Sequence, residues 1–96
     1  MMFLYIVGLE GRTDVCKIGI SSNVAQRLGD LQTANPDVLY CYRAWQFTER
    51  ADALKAERNI HALLFRKYRS RRGEWFFVSP GRAERIARQW IKGSIA

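Results

Sequence analysis

The sequence predicts an α+β domain: a small, mainly antiparallel sheet of three to four strands flanked by helices, in the order β-β-α-β-α-β-α. Three observations carry that expectation. Two apolar, β-rich runs, Phe3–Gly8 and Val15–Ile20, are joined by a connection too short for a crossover, so they must run antiparallel. Three later segments repeat apolar residues at three- and four-residue spacing, the period of a helix packed on one side. Finally, 96 residues of which 48% are hydrophobic can bury one core and leave no room for a second, so a single domain over residues 1–96 is expected.

The elements follow in order. Side chains alternate along a strand, so Tyr5 shares a face with Phe3 and Val7, and Lys17 shares one with Val15 and Gly19. A lysine at the centre of an apolar strand must either snorkel out or line a cleft. Leu9–Asp14 reads as the hairpin loop between the two strands. Ser21, Ser22 and Asn23 are N-cap candidates for a helix through about Thr33. Val24, Leu28 and Leu31 form its apolar stripe, and Arg27 lies beside that stripe.

Asn35-Pro36 is a turn signal. Val38–Phe47 then reads as a strand with Leu39, Cys41, Trp45 and Phe47 on one face and Val38, Tyr40, Tyr42 and Ala44 on the other, both at least partly covered. Thr48 is the expected N-cap of a longer helix from Glu49 to about Tyr68. Its stripe holds Leu54, Glu57, His61, Leu64 and Phe65, a carboxylate among mostly apolar neighbours. Glu74–Val78 reads as a short strand. Ser79-Pro80 opens the last helix, with serine at the cap and proline at the first helical position. Ala83, Ile86, Ala87, Trp90 and Ile91 form its apolar face, and Gly93 is the expected stop.

Composition narrows the function classes. No apolar run approaches the ~20 residues of a membrane span, and Met1-Met2-Phe3-Leu4 lacks the basic start of a signal peptide. No membrane partner is expected and a cytoplasmic location is. Cys16 and Cys41 each fall inside a predicted strand and read as buried, reduced thiols. Two cysteines and one histidine, all far apart, do not make a zinc site. Sixteen Lys and Arg against nine Asp and Glu give a net charge of +7, which points to a polyanionic partner. Arg66, Lys67, Arg69, Arg71 and Arg72 form a dense basic run next to Trp75-Phe76-Phe77, and Arg82, Arg85, Arg88 and Lys92 recur near helical spacing. The run is read as the nucleic-acid contact, although charge runs also serve plain solvation.

Four polar groups fall on core-adjacent positions: Tyr5, Lys17, Arg27 and Glu57. Buried singly they are costly, so a shared cleft is the economical reading. A glutamate holds a hard divalent cation through oxygen. An arginine grips a phosphate with two parallel hydrogen bonds. A lysine or tyrosine orients or activates an attacking water. Together they suffice for metal-assisted phosphodiester hydrolysis. The bland alternatives are a core tyrosine, a snorkelling lysine and a structural Arg27–Glu57 pair.

These residues resemble the GIY-YIG nuclease superfamily, in particular its phage-associated branch of short single-domain proteins. Leu4-Tyr5-Ile6 matches the first motif and Lys17-Ile18-Gly19 the second. Arg27 lies on the next helix, Glu57 stands in Ala56-Glu57-Arg58-Asn59-Ile60-His61, and Gly73-Glu74-Trp75-Phe76 matches the closing signature of the branch. The resemblance covers residues 3–78, with the last helix at about 80–92 beyond it. It implies a metal-dependent DNA endonuclease in which Glu57 binds one Mg²⁺ or Mn²⁺ ion, Arg27 contacts the scissile phosphate, and Tyr5 and Lys17 position water. His61 and Glu74 are secondary candidates. The sequence departs from the pattern at Lys17, where the family has tyrosine, and at Leu31, often tyrosine or histidine. The asparagine that often follows the glutamate helix has no clear match.

Two other classes stay open at this stage: a nucleic-acid-binding module that does not cleave, and a protein-interaction domain using exposed aromatics. The expected nucleic acid is DNA, with RNA left open. With little chain left for sequence reading, specificity is expected to depend on a homodimer, a partner protein or substrate shape.

Overall fold

A computed structural model describes residues 1–70 and 75–95. The element order is β1 (Met2–Leu9), β2 (Cys16–Ser21), α1 (Val24–Thr33), β3 (Leu39–Phe47), α2 (Arg50–Lys67), β4 (Trp75–Phe76) and α3 (Pro80–Ile95). The four strands form one antiparallel sheet in the order β3-β1-β2-β4. This is the predicted α+β architecture.

The sheet is covered on both sides because β1 is apolar on both faces. Leu4 and Ile6, with Ile18 and Cys16 across the ladder, pack against Ala56, Ile60 and Leu64 of α2 and Ala83 and Ala87 of α3. Tyr5, Val7 and Leu9, with Val15 and Leu39, pack against the stripe Val24, Leu28 and Leu31 of α1. A three-layer sandwich results: α1, then the sheet, then α2 with α3. The β1–β2 turn uses Gly11 in the left-handed region, φ +81, which a Cβ disfavours. Beside it Arg12 and Asp14 pair at 3.0 Å, the hydrogen bond holding the exposed Asp14 carboxyl below its usual range.

Several expectations need correction. The sequence put Leu39 and Cys41 on the same face as Trp45 and Phe47. In the structure the register shifts between Ile6↔Arg43 and Val7↔Cys41, a bulge that takes up Tyr42 as an extra residue. An inserted residue reverses the alternation, so Leu39 joins the α1 core while Trp45 and Phe47 join the other. β3 is also an edge strand, with Tyr40, Cys41, Tyr42, Arg43 and Ala44 exposed rather than covered. Cys41 is therefore not buried, although Cys16 is, and both are free thiols.

In α2 the buried stripe is Ala53, Ala56, Ile60 and Leu64. The alanines let the helix sit close to the sheet, which moves Leu54, Glu57 and His61 to its flank and leaves Phe65 exposed. The N-cap of α2 is Glu49 rather than Thr48, without a side-chain bond. At α3 the predicted cap holds, with the Arg82 amide donating to Ser79 Oγ at 3.2 Å. Gly93 does not stop that helix, which runs to Ile95. β4 is two residues long; Glu74, expected at its start, lies outside the described residues, as do Arg71 and Arg72.

Candidate functional site

The first two candidates meet on the sheet face under α1. Tyr5 is opposite Gly19 and Val7 is opposite Lys17, and partners across an antiparallel ladder share a face. Tyr5 and Lys17 are thus diagonal neighbours, within reach of long side chains. Tyr5 is 1% exposed and Lys17 7%, the one charged side chain buried among the described residues. The Lys17 ammonium lies 5.8 Å from the centre of the Trp75 ring, which β4 sets directly opposite it. A cation over an indole face retains favourable electrostatics where hydration is lost. Trp75 is half-buried and packs against the core cluster of Tyr5 and Val7.

Arg27 comes from α1, and the orientation of that helix follows from both its ends. Asn23 caps it, its Oδ1 accepting from the Gln26 amide at 3.1 Å. Gln32, which the sequence reading passed over, clamps the other end. Its amide donates to the Asn35 and Asp37 carbonyls and its Oε1 accepts from Leu39 N at 2.8 Å, tying that flank to β3. At 100° per residue, Gln32 lies about 80° to one side of Val24 and Arg27 about 60° to the other. With the Gln32 flank fixed on β3, the exposed Arg27 is on the flank towards β2.

Glu57 comes from the opposite layer. On α2, half-buried Glu57 and His61 are one turn apart, on the flank away from Lys67, which faces α3 beside Ile86 and Gln89. His61 shows where that flank leads. Its Nε2 is 2.8 Å from the Ile18 carbonyl of β2, and its ring is 5.3 Å from Phe76. A carbonyl only accepts, so Nε2 carries the proton and Nδ1 is left with its lone pair in the neutral ring. His61 is a packed, hydrogen-bonded histidine.

Helices on opposite faces of the sheet therefore both turn a polar flank towards β2, the strand that carries Lys17. Among the described residues no three His, Cys, Asp or Glu side chains cluster as metal ligands. Of the basic run, Arg66, Lys67 and Arg69 are exposed at and just beyond the end of α2. No described helix is long and apolar enough to cross a membrane.

A sequence model of the T5orf172 domain matches residues 2–91, nearly the whole chain, from β1 through β4 and most of α3. The chain belongs to the T5orf172 domain family. T5orf172 domains are phage-associated and nuclease-like, which bears on DNA as the partner at a coarse level. No curated protein and no solved structure matches the chain. Within the T5orf172 match lie all four candidates, from Tyr5 in β1 to Glu57 in α2.

Proposed function

We propose that this T5orf172 domain is a GIY-YIG-type endonuclease that hydrolyses DNA phosphodiester bonds with one divalent cation. The observation that supports it most is the convergence on β2: Tyr5 and Lys17 share a face, and the flanks bearing Arg27 and Glu57 turn towards that strand from opposite layers. A structural ion pair alone would not need a lysine held 7% exposed in the same strand.

Glu57 fits a magnesium-type site by its donor chemistry. Mg²⁺ takes one or two carboxylates and fills its remaining positions with water and substrate phosphate, so a protein cage is not required. The bound ion would supply positive charge to the reacting phosphate. Arg27 donates two parallel hydrogen bonds to its non-bridging oxygens, offsetting charge that grows in the transition state. Lys17 and Tyr5 orient the attacking water, whose proton passes to bulk solvent as its oxygen bonds to phosphorus and the bond to the leaving oxygen breaks.

A plasmid-nicking assay with Mg²⁺ and with Mn²⁺ tests this. Wild type nicks, EDTA stops it, and Glu57→Ala abolishes it; nicking by Glu57→Ala at the wild-type rate would remove Glu57 from the site.

One observation favours a second reading, a DNA-binding module that does not cleave. Leu31, where the superfamily often has a polar ring, is half-buried in the apolar core under α1 and brings no polar group to the cleft. DNA binding without any metal-dependent cutting would support that reading.

A further inference from the structure

The basic side chains of α3 form a surface distinct from the cleft at β2. Counting from Arg82 at 100° per residue, Arg85, Arg88 and Lys92 fall within about 120° of it on one side of the helix. All four are exposed. The opposite side of α3 carries Ala83 and Ala87, both 0% exposed against the sheet. The cationic stripe therefore points straight away from the sheet, on the layer opposite α1 and Arg27.

Glu84 is the one acidic side chain on α3, and it is already shared between Arg43 at 3.6 Å and Arg88 at 3.5 Å. Arg82, Arg85 and Lys92 have no acidic residue three or four positions away on the helix. Lys67, at the end of α2, meets α3 beside Ile86 and Gln89 and extends the basic surface across both helices.

We propose that this outward face of the α2–α3 layer binds the phosphate backbone of duplex DNA as a tethering surface, with Arg82, Arg85 and Lys92 as its principal contacts. Charge complementarity selects the occupant. From residue 82 to residue 92 the stripe runs about 15 Å along the helix axis, over which B-DNA presents about nine phosphate charges. A membrane surface is a poorer match: amphipathic helices that bind membranes bury their apolar face in lipid, and here that face is already spent on the core. The inference rests on the reading that the chain meets DNA, but not on its cutting it.

The test is the salt dependence of duplex binding by fluorescence anisotropy between 50 and 200 mM salt. Arg82→Gln/Arg85→Gln is compared with Arg12→Gln/Thr13→Glu, which makes the same charge change on the exposed β1–β2 turn. The α3 pair lowers the slope of log affinity against log salt by about 2, at ~0.9 per lost phosphate contact, and the turn pair leaves it unchanged. Equal slopes in both variants would reduce the surface to net charge and overturn the proposal. Unchanged DNA binding by the α3 pair, with binding to phosphatidylserine vesicles lost, would overturn it in favour of a lipid surface. A wild type that binds no duplex at 50 mM salt would overturn this inference and the DNA reading together, whereas intact wild-type binding with no α3 dependence overturns this inference alone.

Discussion

Glu57 and Arg27 lie outside the apolar stripes of their helices. Glu57 is half-buried beside a stripe of alanines and Ile60, and Arg27 is exposed beside the stripe of α1. Replacing either leaves the apolar contacts intact, so the expected result of Glu57→Gln or Arg27→Ala is loss of cleavage by at least about 100-fold with little change in melting temperature. A melting temperature that falls together with activity would mark them as structural. Lys17→Met should behave differently. It removes the cation over Trp75, the proposed water-orienting group, while keeping the buried length, so the account expects cleavage to fall and the fold to persist.

Cys16 offers a separate check on the core. Burial pushes its thiol up to about 12. A raised acid pKa means the unfolded chain loses its proton first, so this contribution to stability is full below about pH 8.5 and declines above it, by up to ~1.4 kcal/mol per pH unit, until the folded thiol ionises. Urea unfolding at pH 7.5 and pH 10 should show the stability difference between wild type and Cys16→Val shifting by about 1–2 kcal/mol against wild type. A constant difference would mean the thiol is not buried. Cys41, exposed on β3, should react with a thiol reagent in the native protein while Cys16 does not.

Of the elements, α1 is held most by its ends. None of its residues is fully buried, and its placement depends on the Asn23 cap and the Gln32 clamp. Asn23→Ala should cost about 1 kcal/mol in chemical denaturation. Because Arg27 rides on this helix, cleavage should fall with it; unchanged stability and cleavage would deny the cap its role. The cap and the stripe were both legible in the sequence, since a capping residue and an i, i+4, i+7 pattern act locally. The clamp was not, because one glutamine reaching loop carbonyls leaves no periodic trace. β3 failed for a related reason. Its apolar alternation was readable, but the bulge at Tyr42 depends on its partner β1 and reverses the faces midway. In α2, large residues drew the predicted stripe towards Leu54 and Phe65, whereas small alanines give the closest approach to the sheet. The diagonal of Tyr5 and Lys17 was also beyond reach, because register between strands is not written in either strand alone.

The whole molecule has two basic surfaces with different geometry. On the proposed reading one is at β2, which carries Lys17 and towards which the Arg27 flank of α1 turns; the other is the outward stripe of α3. Separation of this kind lets binding and chemistry be measured independently. Neutralising α3 should weaken binding without changing the cleavage rate on saturating DNA, while the cleft variants should do the opposite. The +7 net charge supports the approach to DNA in both cases and should make the association rate fall as salt rises.

The most direct measurement of the central claim is single-turnover cleavage of a duplex by Glu57→Gln beside its binding affinity for the same duplex, both in Mg²⁺. The account predicts wild-type affinity within about threefold and cleavage reduced by at least about 100-fold, since a carboxylate that serves chemistry is not needed to hold the backbone. Cleavage by Glu57→Gln at the wild-type rate would contradict it and remove the α2 flank from the active site.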